Sequence, residues 1–209
     1  MNTATESTVR RFVDIFASSA ALVVLSPLLL GTAALVKLDS QGPAIYRQTR
    51  IGLHGRPFTL LKFRTMAFDS APGLNITSST DARITKLGGR LRATKLDELP
   101  QLFNVLIGEM SLVGPRPEVP EYVDQWPTDL KALILSTRPG ITDPTTLKLR
   151  HEEVLLAAQP DPESYYRLHL LPAKAAAYAE YARTRSLASD ASIAFRTVAT
   201  LFRFQGGRP

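Results

Sequence analysis

The stretch TKLDELPQLFNVL at residues 94–106 decides how this chain folds around a site. Pro100 fits only the first turn of a helix, because it has no N–H to donate and its ring clashes further in. We therefore predict that a helix begins at Asp97 or Glu98. At helical spacing, its apolar residues then share one face, which consists of Leu99, Leu102, Phe103 and Leu106.

Asp97 and Glu98 admit two interpretations. An acidic residue at a helix start is most often a cap or a favourable first-turn charge. The same pair can carry chemistry: adjacent helical residues point about 100° apart, which favours unlike roles. One carboxylate would then be a nucleophile, and the other would help to hold a metal or move a proton. The free N–H groups of a helix start attract anions, so we predict that Asp97 is ionised and that phosphate can bind nearby.

Two proline-stiffened loops follow, and each carries an arginine. Arg116 lies in MSLVGPRP at residues 110–117, where prolines on both sides restrict the backbone. A guanidinium held in this way suits phosphate oxygens at little ordering cost. An exposed turn with an incidental arginine is the alternative. Arg138 opens the second rigid loop, RPGIT at residues 138–142.

Residues 15–36 form an apolar run without a charged side chain. As one helix the run would be about 33 Å long, close to the roughly 30 Å of a bilayer's hydrocarbon core. A buried core helix and a signal peptide are the alternatives. Ser26 and Pro27 interrupt the run, since Pro27 removes a helical hydrogen bond and Ser26 can satisfy a freed carbonyl. The residues alone leave open a kinked spanning helix or a helix that enters and leaves by the same face.

Basic side chains also lie upstream of the acidic pair. The segment FTLLKFRTM at residues 58–66, read as a strand, places Lys62 and Arg64 on one side and Leu61 and Phe63 on the other. These two side chains would meet phosphates or lipid headgroups, and a solvated face is the alternative. Arg92 lies five residues before Asp97 in a segment that we predict to be helical, and its charge would stabilise Asp97 or a bound phosphate.

Composition narrows the class of protein. The 209 residues include 25 Lys and Arg against 19 Asp and Glu, a net charge of +6. A basic protein suits nucleic acid, an anionic membrane surface or phosphorylated substrates. No basic tract alternates with aromatic residues as a nucleic-acid stacking platform requires, so we predict no nucleic-acid partner. The chain has no cysteine, which excludes disulfides, thiol catalysis and zinc–thiolate sites.

Several motifs together resemble one protein family. Residues 95–105 (KLDELPQLFNV) and 110–117 (MSLVGPRP) are similar to the bacterial sugar transferases, which are monotopic polyprenyl-phosphate phosphoglycosyl transferases. Ser26-Pro27-Leu28, KFRTM at residues 62–66 and RPGIT at residues 138–142 match further motifs of that family. The resemblance covers about residues 9–142 well.

The resemblance implies a phosphoglycosyl transferase on the cytoplasmic face of the bacterial inner membrane. Asp97 is then the nucleophile that attacks the β-phosphate of a UDP-sugar and releases UMP, and Asp97 and Glu98 are the ligands of Mg²⁺. The phosphosugar on Asp97 passes to a polyprenyl phosphate, expected to be undecaprenyl phosphate. Ser26 and Pro27 break a re-entrant helix whose N-terminus stays cytoplasmic. The implied phosphate- or substrate-binding residues are Lys62, Arg64, Arg92, Arg116 and Arg138.

The sequence departs from many relatives after residue 142, where DPTTLKLRHEE occupies residues 143–153. Sugar-contacting residues of the family cannot be assigned to this stretch, so the role of residues 143–160 and the sugar stay open. From Asp161 onward the pattern is helical, and we expect Pro172 to break it.

We predict an α+β, mainly helical fold: a small catalytic domain with short β-hairpin elements on an N-terminal re-entrant, helix–break–helix membrane segment. Residues 1–38 would be the membrane helix, and residues 39–209 the catalytic domain with C-terminal helices. The expected partners are a UDP-sugar, a polyprenyl phosphate and the lipid bilayer. A non-catalytic membrane-anchored adaptor that binds anionic lipid is the alternative function. The sequence does not indicate whether the protein is a monomer or an oligomer.

Overall fold

Two bent helices begin the chain, and a mainly helical body with two small sheets follows. The computed structural model describes residues 3–68, 76–77, 81–149 and 152–203. The helices are α1 (Thr3–Val24), α2 (Ser26–Asp39), α3 (Lys86–Thr94), α4 (Gln101–Ile107), α5 (Pro120–Val123), α6 (Thr128–Leu135), α7 (Pro144–Lys148), α8 (Glu152–Ala157), α9 (Pro162–Tyr165), α10 (Leu171–Thr184) and α11 (Leu187–Arg203). The strands are β1 (Ile45–Ile51), β2 (Pro57–Phe63), β3 (Ser111–Val113) and β4 (Gly140–Thr142). The predicted α+β, mainly helical class is confirmed.

The break in the apolar run lies where the sequence predicts it. Helices α1 and α2 meet at Leu25 and are bent by 64° relative to each other. Ser26 Oγ donates to the Val23 carbonyl at 2.8 Å, and Pro27 stands in the first turn of α2, where its missing N–H is not needed. Within the described ranges no single helix is long and apolar enough to cross a membrane, whereas this bent pair is, by length and composition. Re-entrant topology stays a prediction.

Polar side chains attach α1 to the body of the protein. Arg11 donates to the carbonyls of Val105 (2.6 Å) and Leu106 (2.7 Å), in the last turns of α4. Cations at a helix C-terminus satisfy carbonyls that have no partner within the helix. On the next turn of α1, buried Asp14 accepts from Ser111 Oγ (2.8 Å) and the Leu112 N–H (2.9 Å) of β3. The helix pair is therefore fixed to the segment that follows the acidic pair.

Both sheets have two strands. Strands β1 and β2 form the predicted antiparallel hairpin, with Tyr46 opposite Lys62 and Arg50 opposite Phe58. Strands β3 and β4 pair in parallel and bring the two proline-stiffened loops together. A Cβ on Gly114 would lie 2.3 Å from the Arg138 carbonyl oxygen, so only glycine permits this approach.

The segment around the acidic pair differs from the predicted continuous helix. Leu96–Glu98 form a 3₁₀ turn, and α4 begins only at Gln101, after Pro100. The predicted apolar face is also wrong in part, because Phe103 is 48% exposed while Asn104 is buried. Asn104 Oδ1 accepts from the Leu61 N–H at 3.1 Å, and its amide donates to the Thr59 carbonyl at 2.8 Å. An interior polar side chain that binds the edge of β2 does not appear in an apolar pattern.

Pro172 does not break the C-terminal helices as expected. Residues Tyr166–Leu170 form a π-helical turn that leads directly into α10, and Pro172 stands in the first turn of α10. Pro172 has no N–H to donate within this continuous helical backbone, and the π-helical turn directly before it is where the regular hydrogen-bond ladder changes. The break lies at Arg185, whose backbone is no longer helical, before α11. Helices α5, α6 and α10 enclose the largest core cluster, which includes Tyr122, Trp126 and Tyr178.

The bent pair generates a topology prediction. If it is re-entrant, residues 3 and 39 lie on the same side of the membrane, and Thr3→Cys and Asp39→Cys are each protected from an impermeant maleimide in intact bacteria. The chain has no native cysteine, so background labelling is absent. Both variants should label after lysis. Labelling of Thr3→Cys alone in intact cells would show a spanning helix instead.

Candidate active site

A cavity of about 970 Å³ lies between the hairpin, the acidic turn and the C-terminal helices. That volume falls within the range of pockets that hold small molecules and cofactors. Six of the seven predicted catalytic or substrate-binding residues line the cavity, and Arg138 does not. The six are Lys62, Arg64, Arg92, Asp97, Glu98 and Arg116. Ala21 and Leu25 also line it, so the cavity reaches the bend between α1 and α2.

Asp97 is 5% exposed, and among the described residues its Oδ1 atom has no hydrogen-bond partner. Burial, together with the neighbouring charge of Glu98, raises the pKa of Asp97 to about 6, against the opposing charge of Lys62. The sequence predicted that a helix N-terminus would stabilise the ionised form of Asp97. This effect does not set the pKa of Asp97, because α4 begins four residues later. Asp97 is still mostly ionised at pH 7, with an unpaired oxygen inside the cavity.

Glu98 is held by two cations. Arg116 donates to both of its carboxylate oxygens, at 3.2 and 2.5 Å, and the Lys62 ammonium lies 3.4 Å from Oε1. Burial alone would raise the pKa of the Glu98 carboxyl, but the charges of Arg116 and Lys62 outweigh it and hold the pKa well below its usual range. Burial lowers the pKa of Lys62 to about 8, against the attraction of Glu98. Two adjacent carboxyl groups thus have pKa values pushed in opposite directions, a pattern typical of groups with unlike roles.

We did not predict a role for Glu118, an acidic residue that directly follows the loop of Arg116. Glu118 is 4% exposed, and its carboxylate lies 3.1 Å from the Lys174 ammonium and 3.4 Å from the Arg50 guanidinium. The Tyr166 hydroxyl donates to it at 2.8 Å. Glu118 stands two residues after Arg116 in an extended, proline-rich segment, so both side chains point the same way. The spacing from Arg116 could therefore have predicted that Glu118 lies near the site, whereas no pattern in the sequence pointed to Lys174.

Three predicted phosphate-binding arginines already have protein partners. Arg64 donates to the carbonyls of Pro43 (2.6 Å) and Ser40 (2.7 Å), beyond the C-terminus of α2. Arg138 donates to the Gly108 carbonyl at 3.1 Å, away from the cavity. Arg92 lines the cavity and is paired at 2.8 Å with Glu153 of α8. The segment at residues 143–160 therefore contributes an acidic side chain to the cavity.

The acidic pair fits a Mg²⁺ ion of the kind that binds with a substrate. Mg²⁺ is usually held by one or two carboxylates together with substrate phosphates and water, rather than by a cage of protein ligands. Asp97 offers the unpartnered buried oxygen that such an ion needs. In the part of the chain that the structure describes, no group of three or more His, Cys, Asp or Glu side chains could hold an ion alone.

An acidic pair lies among lysine and arginine side chains in a cavity that reaches the bent apolar helix pair, and this combination of charges suits a phosphorylated ligand. The chain belongs to the bacterial sugar transferase family, whose model matches residues 5–204. The predicted family is thereby confirmed.

Similar proteins carry names that specify donors and an acceptor. A UDP-N-acetylgalactosamine-undecaprenyl-phosphate N-acetylgalactosaminephosphotransferase of Aeromonas hydrophila is 39% identical over 160 residues, which are 69% of this chain and 38% of that protein. A UDP-glucose:undecaprenyl-phosphate glucose-1-phosphate transferase of Caulobacter vibrioides is 38% identical over 195 residues, 92% of this chain and 69% of that protein. A protein of the same name from Klebsiella pneumoniae is 43% identical over 136 residues. The match spans only 29% of the Klebsiella protein, so this chain covers well under half of two of these relatives.

The raised pKa of Asp97 predicts a pH-dependent stability. Folding favours the protonated carboxyl, so its contribution to the free energy of unfolding is full below the ordinary pKa of 3.8 and is lost as pH rises through about 6. Asp97→Asn avoids this loss. The variant should exceed wild type by about 2–3 kcal/mol at pH 7.5, and the difference should shrink towards pH 4.5.

Denaturant unfolding of the metal-free protein at both pH values measures this difference. Asp124→Asn is the matched control, because the Asp124 side chain is 76% exposed. An Asp97→Asn effect that does not change with pH would contradict the raised pKa.

Proposed function

We propose that this chain transfers a sugar-1-phosphate from a UDP-sugar to a membrane polyprenyl phosphate, with undecaprenyl phosphate as the acceptor, and releases UMP. The observation that carries the proposal is the buried, unpartnered Oδ1 of Asp97 beside a Glu98 that Arg116 and Lys62 hold ionised. The names of the relatives support the class of donor and acceptor. The step would be the first membrane step in the assembly of a polysaccharide or other glycan.

The proposed reaction has two displacements at one phosphorus atom. A carboxylate oxygen of Asp97 forms a bond to the β-phosphorus, and the bond from that phosphorus to the bridging oxygen of UMP breaks. UMP leaves with the electron pair. An oxygen of the polyprenyl phosphate then attacks the same phosphorus, which breaks its bond to Asp97 and regenerates the carboxylate. No proton has to be supplied for either step, since both leaving groups are stable anions at neutral pH.

The cations around Asp97 fit the charge of this substrate. Arg116 and Lys62 line the cavity and are held by Glu98 before substrate binds, so they can stabilise phosphate charge without reorganising. Asp97, with Glu98 beside it, would hold Mg²⁺, which offsets the negative charge of the diphosphate. Glu98 would also keep the two cations in position when the donor is absent.

The proposed acceptor explains the shape of the cavity. A polyprenyl phosphate cannot leave the bilayer, so its phosphate has to reach Asp97 from the membrane. The cavity is lined both by Asp97 and by Ala21 and Leu25 at the bend between α1 and α2. We therefore propose that the bent pair is a re-entrant anchor and that the body lies on the cytoplasmic face of the inner membrane.

Release of UMP tests the proposed function. Purified full-length protein, Mg²⁺ and undecaprenyl phosphate are mixed with each member of a panel of UDP-sugars. One donor should support release, and Asp97→Asn should lower the rate by about 10³-fold or more, because the nucleophile is lost. Glu98→Gln should lower it by about 10²-fold or more, because two fixed cations lose their counter-charge.

Asp124→Asn is the control acid and should retain wild-type release. Chelation of Mg²⁺ should abolish release in wild type. A wild-type protein that releases no UMP with any donor, yet binds anionic vesicles, would favour the adaptor function. Undiminished release by Asp97→Asn would refute the role of Asp97.

A further inference from the structure

Tyr46 is an aromatic side chain at the rim of the cavity, and its ring is accessible. It is 47% exposed and lines the cavity together with Gln48 and Arg50, the alternate residues of β1. Within the described residues, the Tyr46 ring has no stacking or cation–π partner. Single exposed aromatic side chains are common, so exposure alone indicates nothing. What distinguishes this ring is its position next to the charged side chains of Lys62, Glu98 and Arg116.

The register of the hairpin places Tyr46 next to the phosphate-binding side chains. Tyr46 stands directly opposite Lys62 in the antiparallel pair. Residues in that relation point to the same face, with Cβ atoms about 5 Å apart. The Lys62 ammonium in turn lies 3.4 Å from Glu98. A ligand whose phosphates meet Lys62 would therefore have its next chemical group beside the Tyr46 ring.

The other aromatic residues of the cavity are less suitable. Tyr122, Tyr166 and Tyr178 are at most 2% exposed, and their rings belong to the core. Phe68 is 59% exposed, but its ring covers the backbone of Gly42, where an added Cβ would lie 2.7 Å from it. Among the described aromatic residues of the cavity, Tyr46 is thus the exposed ring that stands opposite the lysine in contact with Glu98.

The same strand offers polar groups for a planar ligand. Gln48 Oε1 accepts from Arg50 at 2.7 and 3.1 Å. Its amide N–H groups are then left as donors on the face that carries Tyr46. A flat aromatic face with amide donors beside it suits the face and the carbonyl edge of a nucleobase.

We propose that Tyr46 is the stacking platform for the pyrimidine base of the nucleotide donor. This inference rests on the proposed UDP-sugar donor and deepens it, since it assigns the end of the cavity that holds the nucleoside. The base lies one ribose beyond the α-phosphate, whereas the sugar is attached to the β-phosphate that Asp97 attacks. Tyr46 contacts the part of the donor that leaves as UMP, so it determines donor affinity and takes no part in bond making.

Calorimetric titration of the full-length protein in detergent, with Mg²⁺ present, separates the base from the phosphates. The probes are UDP, which carries the base, and inorganic pyrophosphate, which does not. Tyr46→Ala should weaken UDP about tenfold or more, within the range that the loss of one base–aromatic stack gives. Pyrophosphate binding should change less than about twofold, because the cations are untouched. Tyr46→Phe keeps the ring and should bind UDP as wild type does.

Thr49→Ala is the matched control, because Thr49 is an exposed residue on the opposite face of β1. It should leave the affinities for both probes unchanged. An equal loss of UDP and pyrophosphate in Tyr46→Ala would show that Tyr46 only supports the hairpin, and would overturn the proposal. A tenfold loss of UDP in Phe68→Ala with none in Tyr46→Ala would also overturn it, since the base would then lie on Phe68.

The failure of this inference is distinguishable from the failure of the proposed function. Wild type that binds UDP no more tightly than pyrophosphate has no base site, which refutes the platform but leaves UMP release to be judged by its own assay. A loss of affinity for the whole UDP-sugar, with UDP unaffected, would place the donor's sugar on Tyr46 and contradict the inference.

Discussion

The ion pair between Arg116 and Glu98 is the interaction on which the site depends. It joins a loop stiffened by prolines to the turn that carries Asp97. Burying such a pair costs desolvation energy that is repaid only when the geometry is good and fixed. Two features supply that fixed geometry. Gly114 packs against the second loop more closely than a residue with a Cβ could, and Glu118 makes buried contacts next to Arg116. The consequence is a Glu98 whose pKa is held well below its usual range by Arg116 and Lys62, next to an Asp97 whose pKa is raised to about 6.

Helices α1 and α2 are fixed to the segment that carries the site. Arg11 of α1 binds the last carbonyls of α4, and Asp14 binds the start of β3, so both contacts lie within the segment that joins the acidic turn to Arg116. A shift of α1 would therefore shift the helix that follows Asp97. This arrangement fixes the bend at Ser26 relative to the cavity, which the proposed transfer from a soluble donor to a lipid acceptor would require.

The fold and the site could be predicted best at residues that restrict the backbone, such as proline and glycine, or that carry a charge. The break at Ser26 and Pro27 and the hairpin followed from residue types whose backbone leaves few options. The position of Lys62 near Asp97 and Glu98 did not follow from its spacing, and only the family resemblance indicated a site role for it. Arg64 and Arg138 show the limit: an arginine motif does not reveal that its guanidinium is used by backbone carbonyls of a distant segment. The sequence did not predict the ion pair of Lys174 for the same reason, since its partner Glu118 is distant in the chain. The pKa of Asp97 depends on burial, which a helix-start argument does not include.

The central claim is that Asp97 becomes covalently bonded to the phosphosugar, and intact-protein mass spectrometry tests it most directly. Full-length protein is mixed with Mg²⁺ and the active UDP-sugar in the absence of lipid. We expect a mass increase equal to one phosphosugar, which is lost on addition of undecaprenyl phosphate and is absent in Asp97→Asn. No adduct with a donor that does release UMP once the lipid is added would contradict the account, because the sugar-1-phosphate would then pass directly from donor to acceptor.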